Sequence, residues 1–257
     1  IIRTASPERW SGFYLAIQTL AQLGLATMLG VMAASAPAGF ALLGAVTLAG
    51  LAAIPWLPHA FDRLEVHDDA GRMPPARGVL ALLGVLLYLA FVVSVWVYVE
   101  PLASGNGIDA QTIHLIAPIA LGMQVVGAAA ATWLAGRLPP RRLVATVAGI
   151  NLGLLALMAS ASSTAIFVAA VAAFGFLWLF VMPFQIPLVI AADPSRRAAG
   201  LIGGAQLTGS SLGPFAAGLL VGDANVFPVL WFGAACAVMG VAIMIGASRR
   251  REGGEAV

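Results

Sequence analysis

The chain has no lysine at all, and only 9% of its 257 residues are charged. A soluble globular domain is charged at about a quarter of its positions. So few charges cannot cover a water-facing surface, which excludes a soluble enzyme or carrier. Cysteine is nearly absent too. Cys236 stands alone, so no intrachain disulfide and no cysteine metal site can be built. The three histidines, His59, His67 and His114, show no ligand spacing. There is no phosphate-binding Gly-Lys-Ser/Thr loop, so no ATP-driven motor is encoded. Arg249, Arg250 and Arg251 are too short a basic run for nucleic acid. No cofactor and no metal are expected. The first residues lack the apolar region of a signal peptide. The chain begins at Ile1 and reads as the remainder of a longer protein.

Hydrophobic residues make up 61% of the chain, and the mean hydropathy is +0.97. A spanning helix needs about 20 mostly apolar residues. Eight segments qualify: 10–33, 38–57, 78–99, 113–135, 143–161, 164–192, 198–221 and 226–247, lettered A to H. The expected fold is an all-α polytopic membrane protein in contact with the lipid bilayer.

All thirteen basic residues are arginines, and their placement sets the topology. Arg3 and Arg9 precede A. Arg63, Arg72 and Arg77 lie between B and C. Arg137, Arg141 and Arg142 lie between D and E, and Arg196 and Arg197 between F and G. Arg249, Arg250 and Arg251 follow H. Every one falls on the same side of an eight-span chain. The opposite loops hold only Glu100, Asp109 and Asp223. The positive-inside rule places both termini in the cytoplasm. Arginine without lysine, with abundant alanine and glycine, points to a GC-rich bacterial genome and hence to a bacterial inner membrane.

Residues 58–77 read as a cytoplasmic linker between a two-helix unit, 1–57, and a six-helix unit, 78–257. His59, His67, Asp68 and Asp69 in it read as a solvated loop. Segment F is too long for a straight span. Its Pro183 and Pro187 predict a kink or break toward the cytoplasmic end, or a helix that stops near Met182. A faint repeat also appears. Pro7 and Arg9 answer Pro194 and Arg196; after a one-residue slip, Gly12, Gln18 and Gly30 answer Gly200, Gln206 and Gly218. The repeat pairs A with G, giving a parallel period of six spans, the relation between the two halves of major facilitator transporters.

Several stretches carry that resemblance. Gly136-Arg137-Leu138-Pro139-Pro140-Arg141-Arg142 resembles the family's basic loop between helices eight and nine, G-x-L-x-D-R-x-G-R-R, without its acidic member. Residues 96–102, ending in Glu100-Pro101-Leu102, with Gly107 and Asp109 resemble the outer end of helix seven in drug and sugar efflux members. Gly209, Gly213-Pro214 and Gly218 resemble the glycine-proline pattern of helix eleven. The antiporter Gly-Pro signature of helix five is missing from segment A, where Gly24-Leu25-Ala26 stands. The chain is therefore similar to helices five to twelve of a major facilitator superfamily transporter, a partial fold whose first four helices would belong to the same longer protein.

The resemblance implies a secondary active transporter moving a small molecule by alternating access, with efflux favoured by segment C. A non-transporting scaffold or receptor-like protein of the same fold is the alternative. A membrane-embedded enzyme is disfavoured, because no acid, base or metal ligand lies at the centre of a span. Intramembrane ionisable groups usually mark ion pathways, and the one candidate for proton coupling is Glu100. Midplane amides and aromatics carry the site instead. The family's cavity-lining helices favour Gln18, Gln22, Tyr88, Gln124, Trp178 and Gln206 as substrate-cavity residues and demote Asn151. Gly204, Gly209, Gly213, Pro214 and Gly218, with Pro183 and Pro187, serve helix packing or hinging. Trp133 reads as an interfacial anchor.

Overall fold

The computed structural model describes residues 6–31, 36–52, 54–56, 73–222 and 225–249. Arg3, Arg63, Arg72, Arg250, Arg251, His59, His67, Asp68, Asp69 and Asp223 lie outside the described residues, as does most of the expected linker. Each of the eight apolar segments is mostly helical where it is described. The helices are α1 (Pro7–Val31), α2 (Ala36–Leu51), α3 (Ala76–Val97), α4 (Val99–Gly105), α5 (Ala110–Leu134), α6 (Pro140–Ala159), α7 (Thr164–Ala192), α8 (Arg197–Gly200), α9 (Ile202–Gly218) and α10 (Pro228–Ser248). A short 3-10 turn, Ile54–Trp56, follows α2. Among the described residues there is no strand, only an isolated bridge between Gly222 and Asn225.

Five helices, α3, α5, α6, α7 and α10, are long and apolar enough to cross a membrane. The 17 residues of α9 and the 16 of α2 are shorter than a full span. Segment G does not form one helix: α8 and α9 are separated at Leu201.

The helix boundaries follow local chemistry. Asp109 caps α5, accepting from the Thr112 amide at 2.9 Å and its hydroxyl at 2.7 Å. Those two bonds hold the Asp109 carboxyl below its usual range. Ser163 caps α7 through the Ile166 amide. Pro140 opens α6 at a position where its missing N–H costs nothing. Gly136, with φ 76°, turns the chain just after α5 in a conformation that L side chains rarely adopt.

In segment F the expected break, and the alternative stop near Met182, are corrected. The chain stays helical from Thr164 to Ala192, straight through Pro183 and Pro187. It neither breaks nor stops near Met182. Burial accounts for this: residues 179–186 are all buried against neighbouring helices, which over-determine the helical path. The prolines still remove two donors, so the Leu179 and Pro183 carbonyls leave the helix ladder.

Two compact units emerge: Ile1–Leu20 with Pro74–Val257, and Ala21–Met73. In the larger unit α3 packs along α9 and α10, while α7 packs along α5 and α6. Contacts of α3 with α7 and of α6 with α10 join the two groups. An edge-on aromatic chain, Tyr88, Phe91 and Phe174, with centroids 5.6 and 5.7 Å apart, runs from α3 to α7.

The described arginines of this unit gather at one end. Arg77 at the start of α3 donates to the Ala247 carbonyl at 3.1 Å. Arg141 at the start of α6 donates to the Ser248 hydroxyl and carbonyl. Gly78 rests on Asp193 and Ala198. Glu100, Asn106 and Asp109 sit at the other end, where Asn106 Nδ2 reaches the Met158 carbonyl at 3.1 Å.

Candidate functional site

α1 crosses α5 at a glycine. A Cβ on Gly12 would stand 2.5 Å from Thr132 Oγ1 and 3.1 Å from its amide nitrogen. One turn earlier, Glu8 lies beside Gly136. The pairs Glu8–Gly136 and Gly12–Thr132 make the two helices antiparallel. Both helices are right-handed. On either one, therefore, the residue after a contact position turns to one flank of the seam and the residue before it to the other. Arg9, Phe13 and Trp133 share the first flank, and Arg137, in the turn after α5, joins them by stacking on Trp133. Pro7 lies on the second, where Gly127 presses α5 onto the Phe176 carbonyl of α7.

A cavity of about 440 Å³ opens on the second flank. Pro7 and Glu8 line it from α1, and Gly136, Leu138 and Pro140 from the basic loop. Phe184, Pro187, Ile190 and Ala191 line it from α7, with Arg196 at the turn that follows. A helix carbonyl points toward the residue four positions on. The Pro183 carbonyl therefore finds no donor on Pro187, one of the lining residues. The loop lacks an acid of its own, and Glu8 places one beside it.

The turn under the cavity is rigid. Asp193 is 1% exposed. It accepts from the Ser195 hydroxyl at 2.5 Å, the Ser195 amide at 3.1 Å and the Ala198 amide at 2.7 Å. Burial pushes its carboxyl up. The bonds from Ala198 and Ser195, and the nearby Arg197 charge, outweigh that and hold it below the usual range. Arg196 takes the left-handed conformation, φ 61°.

The expected cavity residues fall in different settings. Gln18 is exposed and, by helical spacing, turns to the second flank. Gln124 turns the same way and is only 4% exposed. Gln18 lies about 9 Å along α1 from Gly12 and Gln124 about 12 Å along α5 from Thr132, so the two amides are nearly level. Gln22 is exposed on α1 in the smaller unit. Trp178 packs edge-on to Trp96, centroids 5.9 Å apart. Gln206 is half-buried, and its carbonyl accepts from the Ser210 hydroxyl. Tyr88 is fully buried, and its hydroxyl accepts from Asn151 Nδ2 at 3.2 Å. It faces the interior of the six helices, paired with the asparagine that the family pattern sets aside.

Gly209 and Gly213 are buried where α9 lies on the backbone of Leu86 and Ala90. Gly204 and Gly218 are exposed, and Pro214 is half-buried. Glu100 is exposed in the first turn of α4. Arg137 stacks over the Trp133 ring at 4.9 Å, and Arg142 is exposed.

Sequence reasoning misses Gln185. Its side chain is fully buried on α7, and neither amide atom has a protein partner. Gln124 Nε2 and Trp178 Nε1 are likewise unpaired. Buried polar groups of this kind are normally satisfied by water or ligand. Among the described residues no group of three metal-binding side chains exists. Set against known proteins, the chain matches no family model, no curated protein and no solved structure.

Proposed function

We propose that the chain is the larger part of a secondary transporter with a major facilitator-like fold. α1 and α2 correspond to helices five and six, and the rest to helices seven to twelve. One observation carries the reading: exchanging α3 with α7, α5 with α9 and α6 with α10 maps the main helix pairings onto one another. α3–α9 answers α7–α5, and α3–α10 answers α7–α6. α3–α6, where Tyr88 meets Asn151, answers α7–α10. Each first helix is followed by a short one, α4 or α8; Asp109 caps the helix after α4, whereas Asp193 fixes the turn before α8. Three spans separate the partners, so the repeat is inverted, as in each six-helix half of such transporters.

On this reading the arginine end faces the cytoplasm of a bacterial cell, and the site lies on the second flank of the α1–α5 seam, between Gln18 and Gln124. Its polar groups are amides and indoles, without a midplane charge. That suits a neutral or lipophilic small molecule, moved outward by alternating access.

The test uses membrane vesicles carrying the protein and a panel of neutral lipophilic fluorescent dyes. Energised dye movement should fall at least roughly tenfold in Gln124→Ala, the scale of one lost buried hydrogen bond to substrate. Helix content and melting temperature should stay near those of the parent. A folded protein that moves no dye in the panel would instead favour the scaffold reading.

A further inference from the structure

The opposite flank of the same seam has a different character. A groove of about 340 Å³ lies there, lined by Ser6, Arg9, Trp10, Phe13 and Thr132. Trp10 is 54% exposed and Phe13 52%, with their rings edge-on at 6.3 Å. Trp133 turns to this flank from α5, and Arg137 follows it from the turn after that helix. Trp133 is 68% exposed, and the Arg137 guanidinium is held 4.9 Å over its ring.

On α1 an arginine stands at the basic end and an aromatic follows one turn further in, Arg9 then Phe13, a step of about 6 Å along the axis. Across the seam Arg137, in the turn after α5, stands at the basic end and stacks on Trp133 in the last turn of that helix. Two exposed guanidiniums at the outer level call for an anion. Aromatic faces one turn deeper call for an apolar chain joined to it. A phosphate diester carrying acyl chains has both parts at that spacing. A free phosphate would leave the aromatics uncovered, and a second copy of the chain would set like-charged arginines against each other. Gly12 lets α1 lie against Thr132, whose hydroxyl a side chain there would have to displace.

We infer that the first flank of the α1–α5 seam is a binding site for an anionic phospholipid, its headgroup on Arg9 and Arg137 and an acyl chain against Phe13, Trp10 and Trp133. The inference needs only that these helices lie in a bilayer, so it stands or falls apart from the transport reading.

The chain, purified in neutral detergent and stripped of lipid, is offered equal amounts of palmitoyl-oleoyl phosphatidylglycerol and phosphatidylcholine and examined by native mass spectrometry. Phosphatidylglycerol should be retained in clear preference. Arg9→Gln with Arg137→Gln should lower its retention roughly tenfold, whereas Arg142→Gln, an exposed arginine at the same end, should leave it unchanged. Arg9→Lys with Arg137→Lys keeps the charge and should restore part of the binding, which guards against loss through misfolding. Phosphatidylglycerol should raise the melting temperature of the parent chain, and inorganic phosphate should not. The assignment is overturned by equal retention of both lipids, by undiminished retention in the glutamine variant, by an equal melting shift from phosphate alone, or by a dimer in place of a lipid adduct.

Discussion

Of the seams in the larger unit that are built on glycine, two differ in kind. Where α9 meets α3, a Cβ on Gly213 would stand 2.5 Å from both the Cα and the carbonyl oxygen of Ala90. One turn away, Gly209 presses on the Leu86 carbonyl in the same manner. These are backbone-on-backbone contacts, repeated along a turn, and nothing in them can rotate aside. Where α1 meets α5, the tightest contact of Gly12 is the Thr132 side-chain hydroxyl, with backbone no nearer than 3.1 Å. Open grooves flank it on both sides. The first seam is backbone packed on backbone over a full turn. The second is a lighter contact whose tightest point is a side-chain hydroxyl.

The hardest blow to that comparison is Gly213→Val. Overpacking costs about 1–3 kcal/mol where side chains can yield, and here only backbone is in the way. The variant should lose at least that much in thermal denaturation or fail to accumulate as folded protein. No truncation of a neighbouring side chain should rescue it. If a smaller side chain nearby restored full stability, the seam would be softer than its geometry states.

Asn151→Leu comes next, inside the six-helix unit. It strands the Tyr88 hydroxyl without its partner, a loss of about 1–2 kcal/mol. Adding Tyr88→Phe removes the stranded group and should recover most of it in a double-mutant cycle. Equal destabilisation in the single and double variants would mean the pair contributes shape alone.

Gly12→Val should do least. Its expected cost is under about 1 kcal/mol, because Thr132 can turn away from the new methyl groups. Thr132→Ala in the same chain should erase even that. A Gly12→Val chain as damaged as Gly213→Val would make the two seams equivalent and end the comparison.

Much of this architecture is legible in the residues. Apolar runs of span length find the helices, and caps such as Asp109 and Ser163, with prolines such as Pro140 and Pro228, mark several of their starts. The arginines mark one end. What is not legible depends on neighbours. Pro183 and Pro187 signal a break, but the packing of residues 179–186 keeps α7 whole. Gln185 stands between those prolines with no local sign that its amide is sealed inside. Tyr88 and Asn151 are 63 positions apart, and only the meeting of α3 and α6 pairs them. Glu8 supplies an acid beside a loop more than a hundred residues away, which no pattern within the loop could announce.

The end of α10 carries a consequence for assembly in the membrane. Its last carbonyls are gripped by Arg77 and Arg141, which belong to the first and third helices of the six-helix unit. Those arginines are made long before residues 247 and 248 exist, so during synthesis they stay hydrated at the bilayer surface. Only when α10 is in place do they find their acceptors. The bonds that register three helices against one another therefore cannot form before α10 is made.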